Sequence, residues 1–329
     1  CLSYRLSGPF ALKVLITGAG LIGCETARLL SLRGDEVLLV DVRVPPENVF
    51  DLRGVTYENL DVLEAAAVVD LVNERKIDRI VHTAAILSNG MRADPIRGLH
   101  VNLMGTAHVL EAARQTGVQR VVTISSTTVL YSGFSSLPPV PIPEDAALHL
   151  VSDRPRSLYA MTKLTNEYLG HLYTDLYGVS HVALRFAAVL GGHAEVQTSV
   201  PGQMFDLLVS AAKSGDLLVL DNPLYQWGGN EEFVDLRDCA RAILAALDAD
   251  APDLGVYNIA HPKLWTLEET VAEVARIHGA IDCRLPRNPT TGFAGFPHRR
   301  PAGSSVLAAN AELGFTCDYD LSDTLGHWW

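Results

Sequence analysis

Tyr159 and Lys163 stand four residues apart in LYAMTKLTNEYLG, a run of good helix formers, so both side chains fall on one helical face. An ammonium close to a phenol stabilises the phenolate and draws its pKa toward neutrality. Such a tyrosine can take a proton from an alcohol, or give one to a carbonyl, as a hydride moves. Y-x-x-x-K is common by chance, and a solvated helix face is its ordinary reading. Position gives this pair its meaning. It follows a glycine-rich turn at 18–23, with a hydroxyl-bearing stretch, Ile124-Ser125-Ser126-Thr127-Thr128-Val129, between the two. At the carboxyl edge of a parallel sheet such hydroxyls, Ser126 and Thr127 among them, point into the ligand crevice and can share charge developing on a substrate oxygen. The plain alternative is a strand end running into a turn.

The glycine turn reads Gly18-x-Gly20-x-x-Gly23. The first glycine makes a tight turn, the second lets backbone approach a pyrophosphate, and the third lets the helix pack on the strand. The helix opening at Leu21 and Ile22 offers its amino end to an anion. Asp41 closes the next strand, where a carboxylate accepts the adenosine ribose 2′-hydroxyl and repels a 2′-phosphate, which favours NAD over NADP. Arg43, two residues on, pulls the other way.

These residues need a scaffold, and the chain alternates accordingly. Residues 12–17 (LKVLIT), 36–40 (EVLLV), 78–85 (DRIVHTAA), 120–126 (RVVTISS) and 181–186 (HVALRF) read as strands. Stretches from 21 to Arg33, 62–75, 98–115 and 157–177 read as helices, with Gly34 placed to end the first. Strands that are apolar almost throughout belong to parallel sheets covered on both faces. The expected fold is therefore α/β, a doubly wound parallel sheet of Rossmann type with a smaller, loop-rich C-terminal substrate-binding part. The boundaries expected are 12–185 with a returning segment at about 232–262 for the dinucleotide-binding domain, and 186–231 with 263–329 for the other. The prolines of 130–156 and 284–303 mark loops, the second suited to capping a site.

Composition narrows the function. The 329 residues are 48% hydrophobic and 19% charged, enough to fill a large core and too apolar for disorder. A net charge of −12 repels phosphate backbones and anionic membranes, so neither nucleic acid nor a membrane is an expected partner. No run of 18 apolar residues is present. Five widely spaced cysteines without C-x-x-C suit reduced thiols, a cytoplasmic location and no zinc site. The start, CLSYRLSGPFA, lacks the pattern of a signal peptide and begins without Met, which suggests a processed end outside the fold. Eleven histidines show no metal-ligand spacing, and neither G-x-S-x-G nor G-x-x-x-x-G-K-[ST] occurs.

The sequence resembles the extended short-chain dehydrogenase/reductase family, the NAD-dependent epimerase/dehydratase group, over essentially residues 12–329. The glycine turn, Asp41, the acidic pair Asp61-Val62, the strand end His82-Thr83-Ala84-Ala85, Val101-Asn102 with Gly105-Thr106, Ser125-Ser126-x-x-Val129, Tyr159 with Lys163 and Leu184-Arg185-Phe186 match its landmarks in order. The resemblance implies that Asp61, Val62, Thr83, Ala84 and Ala85 border NAD. It implies that Ser126 is the catalytic hydroxyl, that Lys163 also contacts the nicotinamide ribose, and that Asn102 supports Lys163 through water. It further implies a homodimer built through helices near 98–115 and 157–177.

The departures bear on the reaction. The glycine turn is one residue shorter than the family's usual G-x-x-G-x-x-G. Members that dehydrate or decarboxylate nucleotide sugars resemble S/T-x-E-V at the hydroxyl strand, where this chain has Thr128 and no acid. Sugar-nucleotide epimerases resemble R-Y-F-N, where this chain has Ala188, and R-D-F/Y, where it has Glu231, a charge that would repel a diphosphate. Arg300 still matches a second phosphate-contacting arginine. Ser88, Asn89, Tyr131, Gln197, Trp227 and Arg300 are candidate substrate contacts, Trp227 as a ring-stacking wall. The favoured expectation is an NAD-dependent oxidoreductase acting on a secondary alcohol or ketone: a sugar, sugar acid, polyol or aromatic alcohol. A sugar 4-epimerase that retains NAD is the alternative, and a non-catalytic NAD-binding regulator a third.

Overall fold

The computed structural model describes residues 12–191, 198–286 and 289–328. In chain order the elements are β1 (Lys13–Thr17), α1 (Leu21–Arg33), β2 (Glu36–Asp41), β3 (Val55–Asn59), α2 (Ala65–Arg75), β4 (Arg79–His82), α3 (Ser88–Ala93), α4 (Pro95–Leu99), α5 (Gly105–Thr116), β5 (Arg120–Ser126), α6 (Leu158–Tyr177), β6 (His181–Phe186) and β7 (Ala188–Leu190). There follow α7 (Val200–Ser214), β8 (Leu218–Val219), β9 (Glu231–Asp235), α8 (Leu236–Asp248), β10 (Val256–Ile259), β11 (Leu264–Trp265), α9 (Leu267–His278), β12 (Cys283–Arg284), α10 (Leu307–Leu313) and α11 (Leu321–Gly326).

Seven strands form one parallel sheet in the order β10-β6-β5-β4-β1-β2-β3. The strand order reverses between β1 and β4, and a crevice opens there beyond the carboxyl ends of the strands. Alternate residues of each strand serve opposite layers. Val14, Ile16, Leu39, Val122 and Leu184 pack with Leu30 of α1 and Ile243 of α8. Leu15, Leu38, Val40, Ile80 and Val121 pack with Leu71 of α2 and Leu110 of α5. Both faces of the inner strands are therefore dry, which is why β1, β2, β4, β5 and β6 are mainly apolar rather than alternating. A third cluster, with Phe205, Trp227, Phe233, Trp265, Phe293 and Trp328, lies under β7, β9 and β11, which form a separate three-stranded sheet.

The structure adds elements that the apolar pattern does not announce. β3 is an edge strand with half-buried residues, and no apolar run marks it. The strand expected over 78–85 ends at His82. There Thr83 turns away and its hydroxyl donates to the carbonyls of Thr17 (2.9 Å) and Gly18 (3.0 Å). The helix expected over 98–115 is in fact α4, a π-helical turn at His100–Met104, then α5. A π-turn holds one residue more than the α-helix would, and such turns recur at functional sites. Here it carries Asn102, which is 1% exposed.

Candidate active site

A cleft of about 350 Å³ runs along the carboxyl edge of the sheet. The glycine turn forms its floor at one end. Gly18 has φ +95°, and a Cβ there would stand 2.6 Å from the Ala84 nitrogen. A Cβ on Gly23 would stand 2.0 Å from the Gly18 carbonyl oxygen, so the third glycine is required by the turn itself. Gly20 differs, since nothing lies within 4 Å of where its Cβ would be. No side chain caps α1 at Gly20, and Leu21 and Ile22 line the cleft. An open cradle before uncapped helix amides fits a pyrophosphate. Asp41 stands beside this turn, its carboxylate accepting from the amides of Ala19 (2.8 Å) and Arg43 (2.9 Å). Asp61 accepts from the Leu63 amide, Val62 is buried against Gly105, and both follow β3 on the same edge. Thr83 and Ala85 line the cleft, and Ala84 backs Gly18.

Ser126, Thr127, Thr128 and Tyr159 line the same cleft. The Ser126 Oγ accepts from the Thr128 hydroxyl (3.0 Å) and amide (3.3 Å), which leaves its own proton free to donate outward. Thr128, singled out in the sequence only for lacking a carboxyl, is thus the group that orients Ser126. Thr127 is buried, and its hydroxyl has no hydrogen-bond partner among the described residues. Lys163 sends its ammonium to the Ile124 carbonyl (2.7 Å), at 5.4 Å from the centre of the Tyr159 ring. Desolvation lowers the Lys163 pKa to about 8, opposed by the charge of Glu167. Desolvation also raises the Tyr159 phenol to about 12. The expectation of a tyrosine drawn toward neutrality by its lysine therefore does not describe the chain alone: here burial outweighs the ammonium, which is turned to a backbone carbonyl.

Asn102 does not reach Lys163 directly. Its amide accepts from the Ile86 nitrogen (2.8 Å) and donates to the Ile86 oxygen (3.1 Å) and the Thr162 hydroxyl (3.2 Å). It ties the segment after β4 to α6, next to Lys163. His82 bridges Thr17 (2.6 Å) and Thr106 (3.1 Å), and burial lowers its pKa to about 3, so it is a neutral strut. Sequence reasoning missed the supports of α6. Glu167, one turn beyond Lys163, takes two hydrogen bonds from Arg185 (2.9 and 2.7 Å) and one from the Ser125 hydroxyl. The helical spacing of Tyr159, Lys163 and Glu167 was the available signal.

The candidate substrate contacts divide. Ser88, Asn89 and Tyr131 line the cleft. Gln197 lies outside the described residues. Trp227 is not a cleft wall. It is 2% exposed, donates its indole N–H to the Trp265 carbonyl (3.2 Å) and packs edge-on to Phe293 (5.3 Å between centroids). An aromatic in a loop can face either way, and here the apolar cluster claims it. Arg300 is likewise absent from the lining. It is buried against Glu231 (2.7 Å) and Glu232 (3.1 Å), with its guanidinium 4.8 Å from the Phe134 ring centre. Tyr131 donates its hydroxyl to Glu231 (3.0 Å). Glu231 therefore faces an arginine of its own chain, not a phosphate, and burial raises its pKa against the pull of Arg300.

A parallel dinucleotide-binding sheet with a serine, a tyrosine and a lysine gathered beside its glycine turn defines an NAD-dependent enzyme of the extended short-chain dehydrogenase/reductase type. Residues 14–260 match the family model described as the NAD dependent epimerase/dehydratase family, and the chain belongs to that family. Mitochondrial L-threonine 3-dehydrogenase of Sus scrofa is 28% identical over 316 residues, covering 94% of this chain and 80% of that protein. UDP-glucuronate 4-epimerase 3 of Arabidopsis thaliana is 25% identical, covering 98% and 77%. Among solved structures, L-threonine 3-dehydrogenase from Trypanosoma brucei superposes with a TM-score of 0.80 at 22% identity, covering 95% of this chain and 94% of that one. UDP-glucose 4-epimerase of Thermus thermophilus, in complex with NAD, superposes with a TM-score of 0.74 at 25% identity, covering 96% and 97%. NAD is the cofactor of this enzyme.

Proposed function

We propose that the protein oxidises a secondary alcohol to a ketone, or the reverse, on a small sugar, sugar acid, polyol or aromatic alcohol. The observation that carries this reading is the grouping of Ser126 and Tyr159 on one cleft with the glycine turn, Lys163 standing behind the tyrosine. In it, Gly18, Gly20, Leu21, Ile22 and Gly23 hold the pyrophosphate, Asp41 the adenosine ribose, and Asp61 and Val62 the adenine side. Thr83, Ala84 and Ala85 border the rest of the dinucleotide, and Lys163 holds the nicotinamide ribose. Bound NAD supplies the hydride acceptor and, when oxidised, a positive charge. The Ser126 hydroxyl, oriented by Thr128, donates to the substrate oxygen. The Tyr159 phenolate takes the proton from that oxygen. Since burial alone leaves the phenol near 12, Tyr159 becomes a base only when positive charge gathers around it. Asn102 acts through Thr162 and Ile86 as a positioning residue.

Arg300 supports a dehydrogenase over a nucleotide-sugar epimerase, because its charge is already matched by Glu231 and Glu232. Epimerisation remains the second reading, favoured by the relatives and neighbours that carry that name. The loop-rich part, 186–231 with 263–329, is proposed to form the substrate side, and 12–185 with 232–262 the NAD side. A homodimer through α5 and α6 is supported by Tyr168, Leu172, Leu176 and Tyr177, large apolar or aromatic side chains exposed on α6. Free cysteines support a cytoplasmic setting, and no described helix is long and apolar enough to cross a membrane.

The test is the absorbance of reduced nicotinamide after mixing protein and NAD with pooled polyols, aldoses, aldonic and uronic acids and aryl alcohols. NADH is expected to accumulate. A flat trace with interconversion of a UDP-hexose would replace the first reading by the second. Tyr159→Phe should abolish turnover and spare NAD binding, and unchanged turnover would remove Tyr159 from the chemistry.

A further inference from the structure

Among the described residues, the charged side chains lining the cleft are all of one sign: Arg43 beside the glycine turn, then Arg92 and Arg156. No aspartate or glutamate is among the described lining residues, although acids outnumber bases 38 to 26 in the chain. Most arginines of this protein that meet a carboxylate do so closely, Arg28, Arg79, Arg185 and Arg241 at 2.6–2.8 Å. Arg92 and Arg156 form no ion pair among the described residues. Arg92 sits on α3 one turn after Asn89, to whose side-chain oxygen it donates at 3.0 Å. Arg156 adjoins Ser157, the N-cap of the helix that carries Tyr159, and among the described residues its backbone amide donates to the Ser132 hydroxyl while its guanidinium meets no carboxylate. The buried guanidinium of Arg300 is neutralised within the chain, so it offers no charge to a ligand.

We propose that Arg92 and Arg156 bind an anionic group of the substrate, a carboxylate or a phosphate monoester, held away from the carbon that is oxidised. This deepens the dehydrogenase reading and rests on it. Two guanidinium groups without ion pairs, in a cleft with no carboxylate among its described lining residues, raise the local concentration of an anion and fit its oxygens as donors. The remaining wall, Val200, Phe293, Phe296 and Pro297, suits the carbon skeleton. The pairing selects a small acid or phosphorylated polyol over the corresponding neutral compound.

Thermal unfolding of the full chain tests this in two stages. NADH alone should raise the midpoint, which tests the cofactor site. D-Gluconate, D-sorbitol 6-phosphate and D-sorbitol are then titrated onto the NADH-loaded protein. At least one anion should stabilise it further, with an apparent affinity ten or more times that of D-sorbitol, and which anion does so distinguishes carboxylate from phosphate. Arg92→Leu and Arg156→Leu should each weaken that anion at least tenfold while the NADH shift shows that the variant is folded. Arg92→Lys and Arg156→Lys should recover part of the loss. A normal NADH shift with no preference for either anion over D-sorbitol overturns the proposal and leaves the cofactor reading standing. An anion effect untouched in both leucine variants overturns it as well, whereas loss of the NADH shift in the parent protein would overturn the cofactor reading instead.

Discussion

Replacing Lys163 by Met should abolish the pH dependence that this one side chain imposes on folding. Its ammonium is held in a buried site with a pKa near 8, against an ordinary value of 10.5. That gap corresponds to roughly 3 kcal/mol favouring the neutral amine in the folded state. Below pH 8 both folded and unfolded chains carry the proton and the cost is fully present. Between about pH 8 and 10.5 the unfolded chain holds a proton that the folded one has released, so stability rises with pH; above 10.5 no cost remains. Relative to Lys163→Met, the parent chain should therefore gain about 1.4 kcal/mol per pH unit across that window. Urea unfolding of both proteins at half-unit steps from pH 6.5 to 10.5, without NAD, measures the difference, and tyrosine titration common to both cancels. The methionine variant also loses the hydrogen bond to the Ile124 carbonyl, a constant offset of about 1–3 kcal/mol that does not alter the slope. A difference that stays flat with pH would refute the reasoning, because it would mean that the ammonium is not desolvated in the folded chain.

Gly23→Ala places a methyl group 2.0 Å from a backbone oxygen, so the turn must move; NADH-induced thermal stabilisation should disappear and the apo midpoint should fall. Arg300→Met strands Glu231 and Glu232 in the interior and should cost about 3–5 kcal/mol by urea unfolding. Adding Glu231→Gln to that variant should restore part of the loss, a coupling that a surface pair would not show.

The central sheet was legible because strands covered on both faces are apolar at most positions, and the strands expected over 120–126 and 181–186 coincide with β5 and β6. The helix carrying Tyr159 and Lys163 was legible for the complementary reason, a long stretch of good helix formers opened by Ser157 and closed by Gly178. β3 was not, since an edge strand with one wet side has no continuous apolar run. Trp227 shows the limit for aromatics, whose local sequence does not reveal which cluster receives them. Glu231 and Arg300 show the limit for charge: 69 residues separate them, and only the folded chain makes them partners. The same holds for Glu167 and Arg185, which come from different elements.

The π-turn at His100–Met104 makes chain length itself a constraint on this site. Loss of one residue there would regularise the helix into continuous α-structure. The extra residue is accommodated within the turn itself, so α4 and α5 would keep their phase while the residues of the turn were redistributed around the helix. Asn102, which lies in that turn, would lose its place against Ile86 and Thr162. Substitutions along this stretch can be absorbed one at a time, but insertions and deletions cannot, so in the descendants of this sequence the spacing between Ile86 and Thr106 should outlast the identity of most residues within it.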